Sequence, residues 1–195
     1  MKVVGVGCGP GMLTEAAIQV IQSSHLIAGS ERALELVREI IPAGAGIKVI
    51  TDFQILKTLP DHAVILSTGD PMISGLGYLG GEIIPGISSV QLGAAKTKIT
   101  LTNLFLITAH GRNHEQAVHE CCEMIRARRK VCIIADPAFP IHSLGHALSD
   151  IHPDIQIFIC ENLGYPDERI ARGTAQEPPK VVGTMFILFI IPEGT

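Results

Sequence analysis

The sequence predicts an α/β protein of two small domains with mixed sheets flanking a cleft, and three observations predict it. Short β-branched runs alternate with helix-length amphipathic segments along all 195 residues, as they do where helices cover a mainly parallel sheet. Several apolar runs end in glycine-rich turns, where open α/β sheets present their ligand loops. A polar, threonine-rich stretch without helical period, Lys96–Asn103, interrupts the alternation. It predicts an interdomain connection, with domains at 1–100 and 104–195.

In the first half, Lys2–Val6 predicts a strand opening into Gly5-Val-Gly-Cys-Gly-Pro-Gly11. The apolar stripe Leu13, Ala16, Ala17, Val20, Ile21 predicts a helix over Leu13–Ser24, with Thr14 near its start. His25–Ala28 predicts a second strand, and Ser30 a cap for a helix over Glu31–Ile41, stopped by Pro42-Ala-Gly-Ala-Gly46. Ile47–Ile50 predicts a strand, Asp52–Leu59 a short helix, His62–Ser67 a strand, Ile73–Leu79 a helix start and Glu82–Ile84 a strand. The Pro85-Gly-Ile-Ser-Ser89 turn then heads a helix over Val90–Lys96.

In the second half the predicted elements are a strand at Leu104–Ala109, a helix at His114–Arg128, a strand at Val131–Ala135, a helix at Ile141–Ser149 and a strand at Ile155–Cys160. Ile170–Thr174 and Val181–Ile191 close the second sheet as antiparallel strands, because no helix-length segment separates them.

Composition narrows the function classes. Hydrophobic residues make up 47% and charged residues 17%, so the chain buries a core rather than staying disordered. With a net charge of −4, no basic block beyond Arg126-Ala-Arg-Arg-Lys130, two Tyr, six Phe and no Trp, no nucleic-acid surface is expected. Five cysteines without CxxC spacing point to a reducing, cytoplasmic compartment. The run Met185–Ile191 is too short to span a bilayer and suits a central strand. No membrane partner is expected.

The stretch Leu66-Ser-Thr-Gly-Asp-Pro-Met-Ile-Ser-Gly-Leu-Gly77 is the strongest ligand-loop candidate. Gly69 permits backbone angles closed to other residues, and Pro71 stiffens the turn. An ordinary turn with Asp70 as helix cap is the alternative. The first glycine loop fits neither the dinucleotide fingerprint, because Pro10 and Met12 stand where its last glycine is needed, nor the phosphate P-loop, because no Gly-Lys-Ser/Thr follows. The cluster His110, His114, His119, Cys121, Cys122 invites a metal. Five residues of helix, however, turn His119 roughly 140° away from His114, and no metal is expected. Nucleophilic catalysis lacks a G-x-S-x-G elbow. His110 is a candidate general base at a strand end. Arg112 and Arg32 can pair with ligand carboxylates or stay solvated. Glu161 and Asn162 can bond a ligand or serve only the turn.

Taken together, the motifs resemble the tetrapyrrole methylase family. Val4-Gly-Val-Gly-Cys-Gly-Pro-Gly11 with Leu13-Thr14, Ser67-Thr-Gly-Asp-Pro71 with Gly75, and Pro85-Gly-Ile-Ser-Ser89 are similar to its three signatures, in order. Ala109-His-Gly-Arg112 and Glu161-Asn-Leu-Gly-Tyr-Pro-Asp-Glu-Arg-Ile170-Ala-Arg-Gly-Thr174 resemble the branch that methylates C5 of cobalt-precorrin-7 in anaerobic cobalamin synthesis.

The resemblance implies a class III methyltransferase fold and S-adenosyl-L-methionine in a cleft between the domains of a homodimeric enzyme, with a cobalt-precorrin as substrate. It implies that Gly69, Asp70, Pro71, Met72, Ile73 and Gly75 wrap the methionine part of the cofactor, joined by Ser88 and Ser89. The turn at Asp136 and the loop Glu161, Asn162, Leu163 fall on the adenosine side. Gly7, Gly9, Pro10 and Gly11 face the tetrapyrrole, whose carboxylates suit Arg32 and Arg112 at the rim. Where many relatives carry Asp after Gly-Pro-Gly, this chain has Met12, so no acid–base role is available there. At this length the chain is expected to carry the C5 step alone, with C15 methylation and decarboxylation on a separate protein. Alternatives are a methylase acting at C11 or C17, a diphthine-type methyltransferase, or a non-catalytic ligand-binding module.

Overall fold

The computed structural model describes residues 1–192; the last three residues of the second expected domain lie outside the described residues. The chain forms two compact units, Met1–Ser89 and the remainder from Val90.

In the first unit five parallel strands, β1 (Lys2–Gly5), β2 (Leu26–Gly29), β3 (Gly46–Val49), β4 (Val64–Ser67) and β5 (Glu82–Ile84), lie in the order β3-β2-β4-β1-β5. Alternation along β1 sends Val4 into one apolar layer with Ile21, Ile27, Val37 and Leu66. Val3 goes to the opposite face, with Ala28, Leu56 and Ile65. Burial on both faces explains why β1, β2 and β4 are near-continuous apolar runs. Helices α1 (Glu15–Gln22) and α2 (Glu31–Val37) begin where Thr14 and Ser30 accept the amides of Ala17 and Ala33.

Two helices differ from expectation. The segment predicted as one helix to Ile41 ends at Val37 and tightens into a 3₁₀ turn at Arg38–Ile40, because Ile41 precedes Pro42 and is extended, with φ −66° and ψ 127°. The helix start expected at Ile73–Leu79 is instead α3 (Pro71–Ser74) and a 3₁₀ turn at Leu76–Leu79. Asp70 caps α3 early with Pro71 in its first turn, and Gly75, at φ +86°, ends it.

In the second unit, β6 (Leu104–Thr108), β7 (Lys130–Ala135), β8 (Gln156–Glu161), β9 (Arg169–Thr174) and β10 (Phe186–Ile191) form a sheet in the order β6-β7-β10-β8-β9. β6 and β7 are parallel and the other pairs antiparallel, so only this sheet is mixed. The closing strands are antiparallel to β8 but are not neighbours. β10 enters the centre, between β7 and β8, and buries Phe186–Ile190 on both faces.

Helices α5 (His114–Arg126) and α6 (Ile141–Ser149), and α4 (Ser89–Thr97) from Val90 onward, belong to this unit. The division therefore falls before the threonine-rich stretch Lys96–Asn103. Its cause is the seat of α4: a side-chain carbon at Gly93 would stand 2.8 Å from the Phe189 ring and 2.9 Å from Ile187 of β10. Among the described residues no helix is long and apolar enough to cross a membrane.

Candidate active site

The carboxyl ends of β1, β4 and β5 lie side by side, and each of the three loops that leave them is tied to the other two. Gly69 N–H donates to the Gly7 carbonyl at 2.8 Å and Gly7 N–H to Gly69 at 3.3 Å, joining the first two loops. Cys8 N–H donates to the Ile87 carbonyl at 3.0 Å, joining the first and third. Asp70 joins the second and third. Its Oδ2 accepts Gly86 N–H at 3.0 Å while its Oδ1 accepts Met72 N–H at 2.8 Å.

This packing requires glycine at Gly5 and Gly86. A carbon added at Gly86 would stand 2.3 Å from the Gly69 carbonyl, and one at Gly5 2.5 Å from the Gly86 nitrogen. Arg32 reaches the same end from α2 and donates to the Cys8 carbonyl at 2.8 Å.

Gly7, Gly9, Pro10, Gly11, Gly69–Ile73, Gly75, Ser88 and Arg32 thus belong to one sheet edge or the turns rising from it. Ser88 is buried, and Ser89, the last residue of the first unit, opens α4. The space beside Gly11 and Gly75 is open, both residues holding positive φ, and Met72 and Ile87 leave large apolar surface exposed beside these loops. With the Asp70 carboxylate occupied by two backbone amides, the edge is equipped to hold a ligand by main chain and apolar contact.

In the second unit, β6, β7 and β8 run the same way. Phe186 of β10 pairs with Ala135 on one side and Glu161 on the other, so the residues following β7 and β8 share an edge. Asp136 Oδ2 accepts Gly111 N–H at 2.9 Å and meets His114 Nε2 at 3.1 Å, while Oδ1 accepts Ala138 N–H at 3.0 Å. The Gly111 amide, and next the His114 ring, hold the Asp136 carboxyl below the usual carboxylate range. The expected residues His110 and Arg112 stand exposed on the turn that this carboxylate pins.

Glu161 is 1% exposed. Burial pushes its carboxyl up, but the amides of Gly183 and Val182, with Arg169, outweigh burial and bring it below its ordinary value. Both amides lie 2.6 Å from Oε1, and the Arg169 guanidinium meets Oε2. Asn162 takes a left-handed φ of 47° and donates from Nδ2 to Asp167 at 2.6 Å. Leu163 is buried beside Gly93. Glu168 bridges Lys96 at 2.7 Å and the Gly164 amide at 2.8 Å, and these two hold its carboxyl low. Arg172 lies apart from this edge, along β9 over the Phe158 ring. Among the described residues no group of three metal-ligating side chains assembles.

The family model of the Tetrapyrrole (Corrin/Porphyrin) Methylases matches residues 2–179, a span that includes both edges. The chain belongs to the tetrapyrrole methylase family. It is 33% identical to the Methanocaldococcus jannaschii protein named "Probable cobalt-precorrin-7 C(5)-methyltransferase", the match covering 88% of this chain and 89% of that one. It is 29% identical to the cobalt-precorrin-7 C(5)-methyltransferase of Salmonella typhimurium, over 87% and 88% of the two chains. The crystal structure of the cobalamin-biosynthesis precorrin-6Y methylase of Archaeoglobus fulgidus superimposes with a TM-score of 0.78 at 28% identity, covering 99% of this chain and 98% of that one. Family and relatives make the chain a C-methyltransferase.

Sequence reasoning missed two features of this tetrapyrrole methylase. The contact of Gly5 with Gly86 spans three strands, and its only local trace is a glycine at each strand end. His114 stood in a cluster weighed for metal, and nothing in its surroundings in sequence signals a partner 22 residues away.

Proposed function

We propose that this methylase transfers a methyl group to C5 of cobalt-precorrin-7 in anaerobic cobalamin biosynthesis, with S-adenosyl-L-methionine as donor. What carries the reading is the trio of mutually tied glycine loops at one sheet edge, in a chain similar over most of its length to proteins named for that step. When bound, S-adenosylmethionine supplies an electrophilic methyl group with its leaving group built in. The protein's task is then to hold the methyl in line with a ring carbon and to exclude water.

The residues fit that task. Gly69 and Gly75, with positive φ and little or nothing against their open faces, let main chain approach the methionine part closely. Asp70, Pro71, Met72 and Ile73 continue that turn, and Ser88 and Ser89 adjoin it. The turn at Asp136 and the segment Glu161, Asn162, Leu163 serve the adenosine. Because the Glu161 carboxylate is fully engaged within the protein, its part is to hold the loop in shape. Gly7, Gly9, Pro10 and Gly11 face the tetrapyrrole, Arg32 and Arg112 pair with its carboxylates, and His110 is the candidate base. The enzyme works in the cytoplasm as a homodimer, and C15 methylation with decarboxylation falls to a separate protein.

The test is incubation with cobalt-precorrin-7 and ¹³C-methyl-labelled donor. One added methyl, located at C5 by NMR, is expected. Label at C11 or C17, or on a protein, would overturn the assignment of substrate. Tight S-adenosylhomocysteine binding without turnover on any tetrapyrrole would leave a binding module instead.

A further inference from the structure

The turn His110-Gly111-Arg112 combines a pinned backbone with two unheld side chains. The amides of Ala109 and His110 both donate to the Ile134 carbonyl, at 2.8 and 3.1 Å, and Arg112 N–H donates to Ala109 at 3.2 Å. Gly111, at φ +63°, gives its amide to Asp136. Among the described residues neither the His110 imidazole nor the Arg112 guanidinium has a hydrogen-bond or ion-pair partner, and both residues are exposed.

Asp136 is itself held. His114 Nε2 lies 3.1 Å from the oxygen that takes the Gly111 amide. An ionised carboxylate only accepts, so Nε2 carries the proton. The His114 ring, 22% exposed, stands edge-on to the buried Phe139, with centroids 5.5 Å apart and planes at 69°. Phe139 closes the arrangement by donating its amide to the Asp136 carbonyl at 3.0 Å. α5 does not need this contact to start, because Asn113 already caps it by accepting the Gln116 amide. The His114–Asp136 bond is therefore surplus to the helix and acts on the turn.

We propose that His114 is a positioning residue for substrate binding: it orients Asp136, which fixes Gly111 and so aims Arg112 and His110. The inference rests on the reading that this turn faces the tetrapyrrole.

Two variants of the full chain test it. His114→Phe keeps a ring against Phe139 and removes the donor, whereas His114→Gln restores an N–H to the same oxygen. Amide hydrogen exchange at Gly111, followed by NMR without ligand, is expected to be about tenfold faster in H114F and within about threefold of wild type in H114Q. In methyl transfer, H114F is expected to raise KM for the tetrapyrrole by about tenfold, and H114Q to recover it. Unchanged Gly111 exchange in H114F, or no recovery in H114Q, overturns the positioning role. Faster exchange with an unchanged KM overturns it too, because the turn would then hold no substrate. Absence of methyl transfer by the wild type sinks the functional reading instead, and leaves the exchange comparison to decide the role of His114 on the turn.

Discussion

Glu161 and Arg169 are register partners at the loop end of the β8–β9 pair, and the guanidinium meets a carboxylate that is almost wholly buried. The eight-residue step between them is closed by a charge pair whose other oxygen gathers the amides of Val182 and Gly183. Two loops distant in sequence are thus held by one side chain.

Glu161→Gln should lower unfolding free energy by about 1–3 kcal/mol, because a neutral amide accepts more weakly and leaves the guanidinium unmatched. The native carboxyl sits below its ordinary value, so the unfolded chain binds the proton more readily and this contribution is complete above the ordinary glutamate range, about 4.3. It is lost as pH falls through the depressed native value. Urea midpoints between neutral and acidic pH should fall more steeply for wild type than for E161Q.

Gly86→Ala should displace the three tied loops, since the added carbon would stand 2.3 Å from a backbone carbonyl that no side-chain rotation can relieve. A loss of about 1–3 kcal/mol or more is expected. Denaturant midpoints and S-adenosylhomocysteine titration of the same preparation would report both consequences, and wild-type values for the two would refute the packing argument.

Asp70→Ala removes the cap of α3 and the strut to Gly86 together. Stability should fall by about 1–2 kcal/mol, and calorimetric titration should show weaker S-adenosylhomocysteine binding. Asp70→Asn keeps one acceptor oxygen and should lie between the two.

Gly93→Val should destabilise the second unit, because Phe189 and Ile187 occupy the space that the side chain would take. About 1–3 kcal/mol is expected. The Cα–H signals of β10 residues should move in NMR spectra, and an unperturbed β10 would show that α4 seats elsewhere.

Cys132 and Cys121 are held far toward the thiol form, and burial pushes the Cys160 thiol up to about 12. The thiolate is the reacting species, so these three should resist a thiol reagent at neutral pH in the folded protein and react once urea unfolds it. Mass spectrometry of labelled peptides would separate them.

Much of this arrangement was legible in the sequence. The burial of β1 on both faces, the caps Thr14 and Ser30, the strand-end glycines and the full burial of Phe186–Ile190 all leave local marks, because a strand or a helix start is decided by residues within a turn or two of one another. The sequence expects domains at 1–100 and 104–195, whereas the compact units divide between Ser89 and Val90. Lys96–Asn103 has the composition of a connection, but what α4 joins is decided by the fit of Gly93 against Phe189, a contact across nearly the whole second unit.

The same division separates the candidate site into its two halves. The sequence by itself determined the α/β class, the family signatures and the loops at the strand ends, through backbone freedom at glycine and stiffness at proline. Only the tertiary structure decided what the carboxylates do there. Asp70, Asp136 and Glu161 each give one oxygen to an amide brought from a distant loop, and such a hydrogen bond depends on where folding delivers the donor, a position that neighbours in the chain do not encode.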